Sequence, residues 1–266
     1  MAKISIITPS LNQGKYLRRT IESVLNQGVD LEYIVVDGCS TDGSIDILKS
    51  LNSKVHIIIE KDKGQADAIS KGFSLAKGEI LAWLNSDDIY LPGALKRVIS
   101  AFDQGYEFIY GHVIIIDSKD KILRRRIVIP VDFNDLYYGK YVLPQESTFF
   151  SRKLYFSCGG IDASYNYAMD YDLWLRMALI ESPRMVDDFF ACFRFHKDQK
   201  SRRADLYERE MGQARSNFEK IYRLEKFQCL SSRYSVKFRK LFANIESLGL
   251  KNTLVDIINK KLRKLP

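Results

Sequence analysis

The strictest constraint on this chain is the alternation in its first hundred residues. Four strand-like runs, KISIITP (3–9), EYIVVD (32–37), VHIIIE (55–60) and EILAWLN (79–85), are separated by helical patterns over 16–26, 44–51 and 66–76; a fourth helical pattern follows over 92–102. Antiparallel strands can close with a tight turn, whereas parallel strands need a long crossover, usually a helix. The alternation therefore specifies βαβ units: an α/β fold with a mainly parallel sheet and helices on both faces. The unbroken Ile/Val runs agree, since a strand buried on both sides has no polar face to alternate with.

Beyond residue 103 the pattern changes. FIYGHVIIID (108–117) and KILRRRIVI (121–129) read as two strands joined at SKDK, and STFFSR (147–152) as a short strand entering a helix. The stretch 171–180 is helical, and RMVDDFFACFRFH (184–196) reads as one or two strands. From about residue 205 the spacing predicts three amphipathic helices, 205–226, 232–247 and 252–264. A boundary near 200 divides the chain into a body, 1–200, with halves 1–103 and 104–200, and a helical extension, 201–266. The charge divides there too. The net +8 comes from seventeen Lys/Arg against seven Asp/Glu in 200–266; the first 199 residues carry twenty-four against twenty-six. Four scattered cysteines without a CxxC pair predict reduced thiols and a cytoplasmic protein. No run approaches eighteen apolar residues, and MAKISIITPS lacks the features of a signal peptide.

In an open parallel sheet, ligands bind beyond the carboxyl ends of the strands. The first strand ends at Thr8, Pro9 and Ser10, with Asn12 just after, and the second at Asp37, before GCSTDGS. The third ends at Glu60, before KDKGQAD, and the fourth at Asn85, Ser86 and Asp87. Strand direction alone gathers these acids, amides and hydroxyls on one edge. Carboxylates crowded there repel unless a cation or donor groups compensate. Mg²⁺ and Mn²⁺ take one or two carboxylates and complete their shells with water and phosphate oxygens. The pattern thus points to a metal-chelated nucleoside diphosphate. No GxGxxG follows the first strand and no GxxxxGK[ST] occurs, which argues against a Rossmann dinucleotide site and a P-loop. Plainer roles compete: Asp87 and Asp88 as caps of the helix signalled by Pro92, Asp37 as an Asx-turn, and Asp42 as turn and cap for 44–51.

ISIITPSLNQ, IVVDGCSTDGS, KDKGQADAISKG, LAWLNSDDIYLPGAL and CGGIDASYNYAMDYDLWLRMA, in that order, resemble family 2 glycosyltransferases of the GT-A fold over roughly residues 3 to 200. The resemblance implies an inverting enzyme that uses a nucleotide sugar. It assigns Thr8, Pro9 and Asp37, with Ser10 and Asn12 beside them, to the nucleotide. Asn85-Ser86-Asp87 matches the DXD motif, with Asp87 on the metal ligand and uncharged Asn85 in place of the first Asp. Lys63, Gln65 and Asp67 fall on a stretch that lies along the donor, although a solvated surface lysine is an equal reading of Lys63. Asp170 falls on the catalytic base, after Met169 where the family usually has Glu; its alternative is the N-cap of the 171–180 helix. His196 matches a His that approaches the metal or diphosphate. Gly159 and Gly160, with Asp162, match an acceptor loop, or else close a helix. Gln145 and Glu146 precede STFF, where a partly buried polar pair would face the acceptor. Trp174, Leu175 and Met177 read as core.

The expected activity is metal-dependent transfer of a sugar, with inversion, from a nucleoside-diphosphate donor, by default UDP-linked. The expected acceptor is a hydroxyl of a glycan or lipid-linked saccharide, in bacterial surface polysaccharide synthesis. A nucleotidyltransferase competes, but PSLNQGK offers only one Gly and one Lys for its phosphate loop. A non-catalytic nucleotide-sugar binder is the other reading. The basic extension reads as a solvated helical cap or homodimer surface, or as peripheral attachment to an anionic membrane. No nucleic-acid motif accompanies its charge.

Overall fold

The computed structural model of the chain describes residues 3–51 and 55–222. The alternating first part folds as β1 (Ile4–Ser10), α1 (Gly14–Leu25), β2 (Leu31–Asp37), α2 (Ser44–Lys49), β3 (His56–Ile59), α3 (Gln65–Leu75) and β4 (Ile80–Trp83). Its strands are all parallel, in the spatial order β3-β2-β1-β4. All seven residues of β1 are buried, as two-sided coverage by helices requires.

The second part contains β5 (Ile89–Tyr90), α4 (Ala94–Asp103), β6 (Phe108–Ile116), β7 (Ile122–Arg126), α5 (Phe133–Tyr137), β8 (Thr148–Ser151), α6 (Arg152–Ser157), α7 (Met169–Ala178), β9 (Arg184–Arg194) and α8 (Ala204–Tyr222). β8 inserts antiparallel between β4 and β6, and β9 runs parallel to β6 on the far side. The expected hairpin is β6–β7, whose turn is tied by Asp117: its Oδ1 accepts from the N–H groups of Lys119 and Lys121 at 2.8 and 3.0 Å. Residues 184–194 form one strand, with its register against β6 shifting around His112.

Two apolar layers sandwich the sheet. Leu17, Ile21 and Val24 of α1 pack with Leu95 and Val98 of α4 on one face. On the other, Ile69 and Phe73 of α3 meet Leu173 and Trp174 of α7 and Phe218 of α8. Trp83 of β4 stacks on Trp174 with ring centroids 5.5 Å apart. Truncating a ring so buried costs about 3–5 kcal/mol, so this contact ties α7 firmly to the sheet.

Two elements escape the sequence pattern. β5 is a two-residue strand on β9, too short to carry a period. α5 begins with a capping box, Asp132 and Asp135 each accepting from the other's backbone N–H. The helix expected over 205–226 is α8, and it buries Met211, Ala214 and Phe218 in the core beyond the boundary drawn near 200. The helices expected over 232–247 and 252–264, with the membrane and dimer roles attached to them, lie outside the described residues. Among the described residues no helix is long and apolar enough to cross a membrane.

Candidate active site

A cleft of about 640 Å³ opens beyond the carboxyl ends of β1 and β4 and reaches the first turn of α7. Its floor is the turn after β4. Leu84 still pairs with β1, its N–H 2.8 Å from the Ile7 carbonyl, and the chain then folds back as Asp88 N–H donates to the Asn85 carbonyl at 3.1 Å. The Thr20 hydroxyl of α1 anchors this turn, 2.9 Å from the Ser86 carbonyl and 2.7 Å from that of Asp88. Two amides hold Asn85: its Oδ1 accepts from Gln65 Nε2 at 2.7 Å and its Nδ2 donates to Gln145 Oε1 at 2.9 Å.

The adjacent carboxylates separate. Asp87 faces the cleft, its Oδ2 2.9 Å from His196 Nε2. His196 Nδ1 accepts the Asp198 N–H at 3.3 Å, so the ring proton sits on Nε2 and is donated to Asp87. Asp88 turns inward, and its Oδ1 accepts from the Arg194 backbone N–H at 2.8 Å. Burial, and then the charges of Asp87 and Glu146, push the Asp88 carboxyl well above the ordinary carboxylate range. The protonated form removes the repulsion that two adjacent charges would bring. Beneath them lies the buried guanidinium of Arg194, which donates through Nε to the Asp87 carbonyl at 2.6 Å and pairs with Asp120. The helix-cap role expected for this acidic pair is absent: the N-cap of α4 is Gly93, at φ 70°, with no side-chain cap.

α7 presents Asp170 to the same cleft. The helix starts at Met169, after an Ala168 N-cap that offers no side-chain acceptor, so Asp170 lies in the first turn and not at the cap. Its Oδ1 accepts the Tyr171 N–H at 2.8 Å, and the Tyr207 hydroxyl of α8 lies 3.3 and 3.4 Å from its two oxygens. Burial pushes the carboxyl up to about 6, against the hydrogen bonds from Tyr171 and Tyr207. A value near neutrality suits a general base. Glu146 is buried beside the cleft with Oε1 unpartnered; burial raises its pKa, the Arg126 charge opposing. Lys200 Nζ lies 3.2 Å from Gln65 Oε1 and 3.3 Å from Asn166 Oδ1, and burial lowers its pKa against the pull of Glu210 and Asp170.

Of the residues assigned to the donor, Pro9, Ser10, Gln65, Asn85 and Ser86 line this cleft. Others shape the loops beneath it. The Thr8 hydroxyl is buried, 2.9 Å from Tyr33 Oη. Asp37 is fully buried and both its oxygens go to Ser40, from N–H at 2.7 Å and from Oγ at 2.8 Å. Asn12 adopts φ 53° and accepts the Thr41 N–H at 2.8 Å. Lys63 donates its N–H to Asp67 at 2.9 Å, and Asp67 pairs with Lys71, outside the cleft. Gln145 and Glu146 reach the cleft. Gly159, Gly160 and Asp162 line a separate cavity of about 480 Å³. Gly160 N–H there closes α6 on the Tyr155 carbonyl at 2.9 Å.

Tyr207, Lys200 and Arg126 line the cleft without having been singled out in the sequence. The first two sit where the chain reads as a basic tail, and the third hides in the RRR of a hairpin. Among the described residues no three His, Cys, Asp or Glu side chains form a metal cage. Asp87 does fit a hard cation that takes one or two protein carboxylates and completes its shell with ligand oxygens.

The parallel half-sheet, the antiparallel strand inserted beside it and the cleft at the switch between them define a GT-A fold. The chain belongs to glycosyl transferase family 2, whose sequence profile matches residues 5–161. It is 37% identical over 127 residues to the uncharacterized glycosyltransferase alr2836 of Nostoc sp., covering 46% of this chain and 39% of that one. It is 38% identical over 99 residues to TuaG of Bacillus subtilis, named for teichuronic acid biosynthesis, covering 35% and 39%. The aligned part thus spans about two-fifths the length of either relative. Two solved structures share the fold. Staphylococcus aureus TarS 1-349 in complex with UDP-GlcNAc has a TM-score of 0.62 at 15% identity, over 98% of this chain and 73% of that one. The mannosyltransferase PcManGT of Pyrobaculum calidifontis, in complex with GDP-Man and Mn²⁺, has a TM-score of 0.63 at 16% identity, over 98% and 80%.

Proposed function

We propose that this chain transfers a sugar, with inversion, from a UDP-linked donor to a saccharide hydroxyl in the synthesis of a surface polysaccharide. A divalent cation takes part. The observation that carries the reading is that Asp87 and Asp170 line one cleft, one tied to a ring donor and the other raised toward neutrality.

Each residue has a task. Asp87 offers a carboxylate oxygen, and His196 fixes its orientation. A cation held there would supply Lewis-acid stabilisation to a departing diphosphate. Lys200, whose hydrogen-bond acceptors are two neutral amides, brings positive charge to the phosphates. Asp170 takes the proton of the acceptor hydroxyl. An ordinary Asp, near 3.9, is a weak base toward an alcohol, and a value of about 6 brings it closer to the task. Proton transfer accompanies attack, when the hydroxyl has become acidic. One displacement with the base opposite the leaving group inverts the anomeric carbon. The family supports sugar transfer; UDP-GlcNAc in TarS, GDP-Man with Mn²⁺ in PcManGT and the name of TuaG support the donor class, the metal and the polysaccharide.

The test is a panel of UDP- and GDP-sugars, each with Mn²⁺, Mg²⁺ or EDTA, followed by nucleoside diphosphate release and melting temperature. UDP should stabilise the protein with metal and much less with EDTA. Donors that bind without turnover over a broad acceptor panel would make the chain a binder instead.

A further inference from the structure

Helix α7 carries the proposed base yet brings no cap of its own. Ala168 stands at its N-cap and the buried, apolar Met169 opens it. The first N–H groups of a helix have no intrahelical partner; here Asp170 Oδ1 takes that of Tyr171, and an acceptor from α8 takes those of the N-cap and the two residues before it. Glu210 Oε2 accepts from the N–H groups of Asn166, Tyr167 and Ala168 at 3.0, 2.6 and 3.0 Å. A carboxylate at that end is also favoured by the helix dipole. One turn earlier on α8, Tyr207 brings its hydroxyl to both oxygens of Asp170. Residues three apart share a helix face, so one face of α8 grips both the backbone and the carboxylate at the start of α7.

We infer that Tyr207 and Glu210 are positioning residues: Glu210 clamps the chain where it enters α7, and Tyr207 holds the Asp170 carboxylate in a fixed orientation toward the acceptor hydroxyl. This rests on Asp170 as the base and adds the device that sets it. The charged groups facing Asp170 are Glu146, from the segment before β8, and Lys200, from the turn before α8; Arg126 of β7 faces Tyr207. Among the described residues, Tyr207 is the one side chain within hydrogen-bond distance of Asp170. Its hydroxyl donates to the ionised form, so removing it disfavours that form. Glu146 and Lys200 oppose each other and are untouched by the change.

The decisive measurement is a ¹³C-carboxyl titration of Asp170 by NMR in the full chain, with Asp170→Asn used to assign the signal. Tyr207→Phe should raise the Asp170 midpoint by about half a pH unit, the low end expected for so long a hydrogen bond. The acid limb of the transfer rate should move by the same amount. Glu210→Ala should speed hydrogen exchange at the Tyr167 and Ala168 amides about tenfold, as for a lost hydrogen bond to a charged group, and Glu210→Gln should recover part of the protection. An unmoved Asp170 midpoint removes Tyr207 from the clamp, and unaltered exchange removes Glu210. Full transfer by Asp170→Asn would retire the base reading instead, leaving the titration to judge the clamp.

Discussion

Asp87 and Asp170 share a cleft but are held in unlike ways. Asp87 stands on backbone: a turn closed by main-chain hydrogen bonds, its own carbonyl gripped by Arg194, and a His196 delivered by the strand register of β9. Asp170 stands on side chains. The chain entering its helix is held from α8, and its carboxylate is steadied by a tyrosine thirty-seven residues further on. The sheet fixes a charge as part of the fold, whereas the helix leaves a charge adjustable through a neighbour. The first arrangement fails by unfolding and the second by mistuning.

The largest expected effect is on transfer. Asp170→Asn should cut turnover about a thousandfold while nucleotide affinity, read by calorimetry, stays within about twofold of wild type. Equal loss of affinity would erase the distinction between the two acids. Next in size is Arg194→Ala, which strips donors from the Asp87 carbonyl and leaves Asp120 with Arg19 as its remaining ion-pair partner. Losing the charge-assisted hydrogen bonds of so buried a guanidinium costs about 1.5–3 kcal/mol, seen as a lower midpoint in urea. A loss under about 1 kcal/mol, the level of a surface pair, would show that Asp87 does not lean on the scaffold. Asp87→Ala should weaken metal-dependent UDP binding tenfold or more, roughly the effect of disturbing a metal's surroundings, with little change in melting temperature. Binding equal to wild type in Mn²⁺ would move the cation elsewhere.

The smallest effect sharpens the contrast. Asp170 has its carboxyl raised from 3.8 to about 6 in the folded protein. The unfolded chain therefore binds fewer protons between those values, so stability falls as pH rises from about 4 through 6. Asp170→Asn, which carries no charge to desolvate, should be more stable than wild type by about 1–2 kcal/mol at pH 7.5 and equal to it near pH 3.5. Parallel thermal melts at the two pH values check this, and a gain independent of pH would assign it to packing.

The alternation, the strand ends and the hairpin are legible in the sequence because period and direction are local properties. The conformation of Asp37 is less so: its position at a strand end is readable, but its two bonds to Ser40 depend on how the loop turns. Gly38 shows why that loop is tight, since a Cβ there would sit 2.6 Å from Asp62 Oδ2. The division of labour between Asp87 and Asp88 is illegible for a similar reason. It is decided by β9 and the two residues after it, more than a hundred residues away: the backbone of Arg194 claims one carboxylate and His196 meets the other. Tyr207 and Glu210 are hidden because an amphipathic helix reveals which face is wet, not which neighbour its polar groups touch. The start of α7 is misjudged by two residues because no Ser, Thr, Asp or Asn marks it at Ala168.

Trp83 and Trp174 are the only tryptophans in the chain, and they lie face to face, one in the strand that leads to Asp87 and one in the helix that carries Asp170. Indoles so close share their excited states. The ultraviolet emission and circular dichroism of the native protein therefore report, without any label, whether the two sides of the cleft slide against each other when a ligand enters.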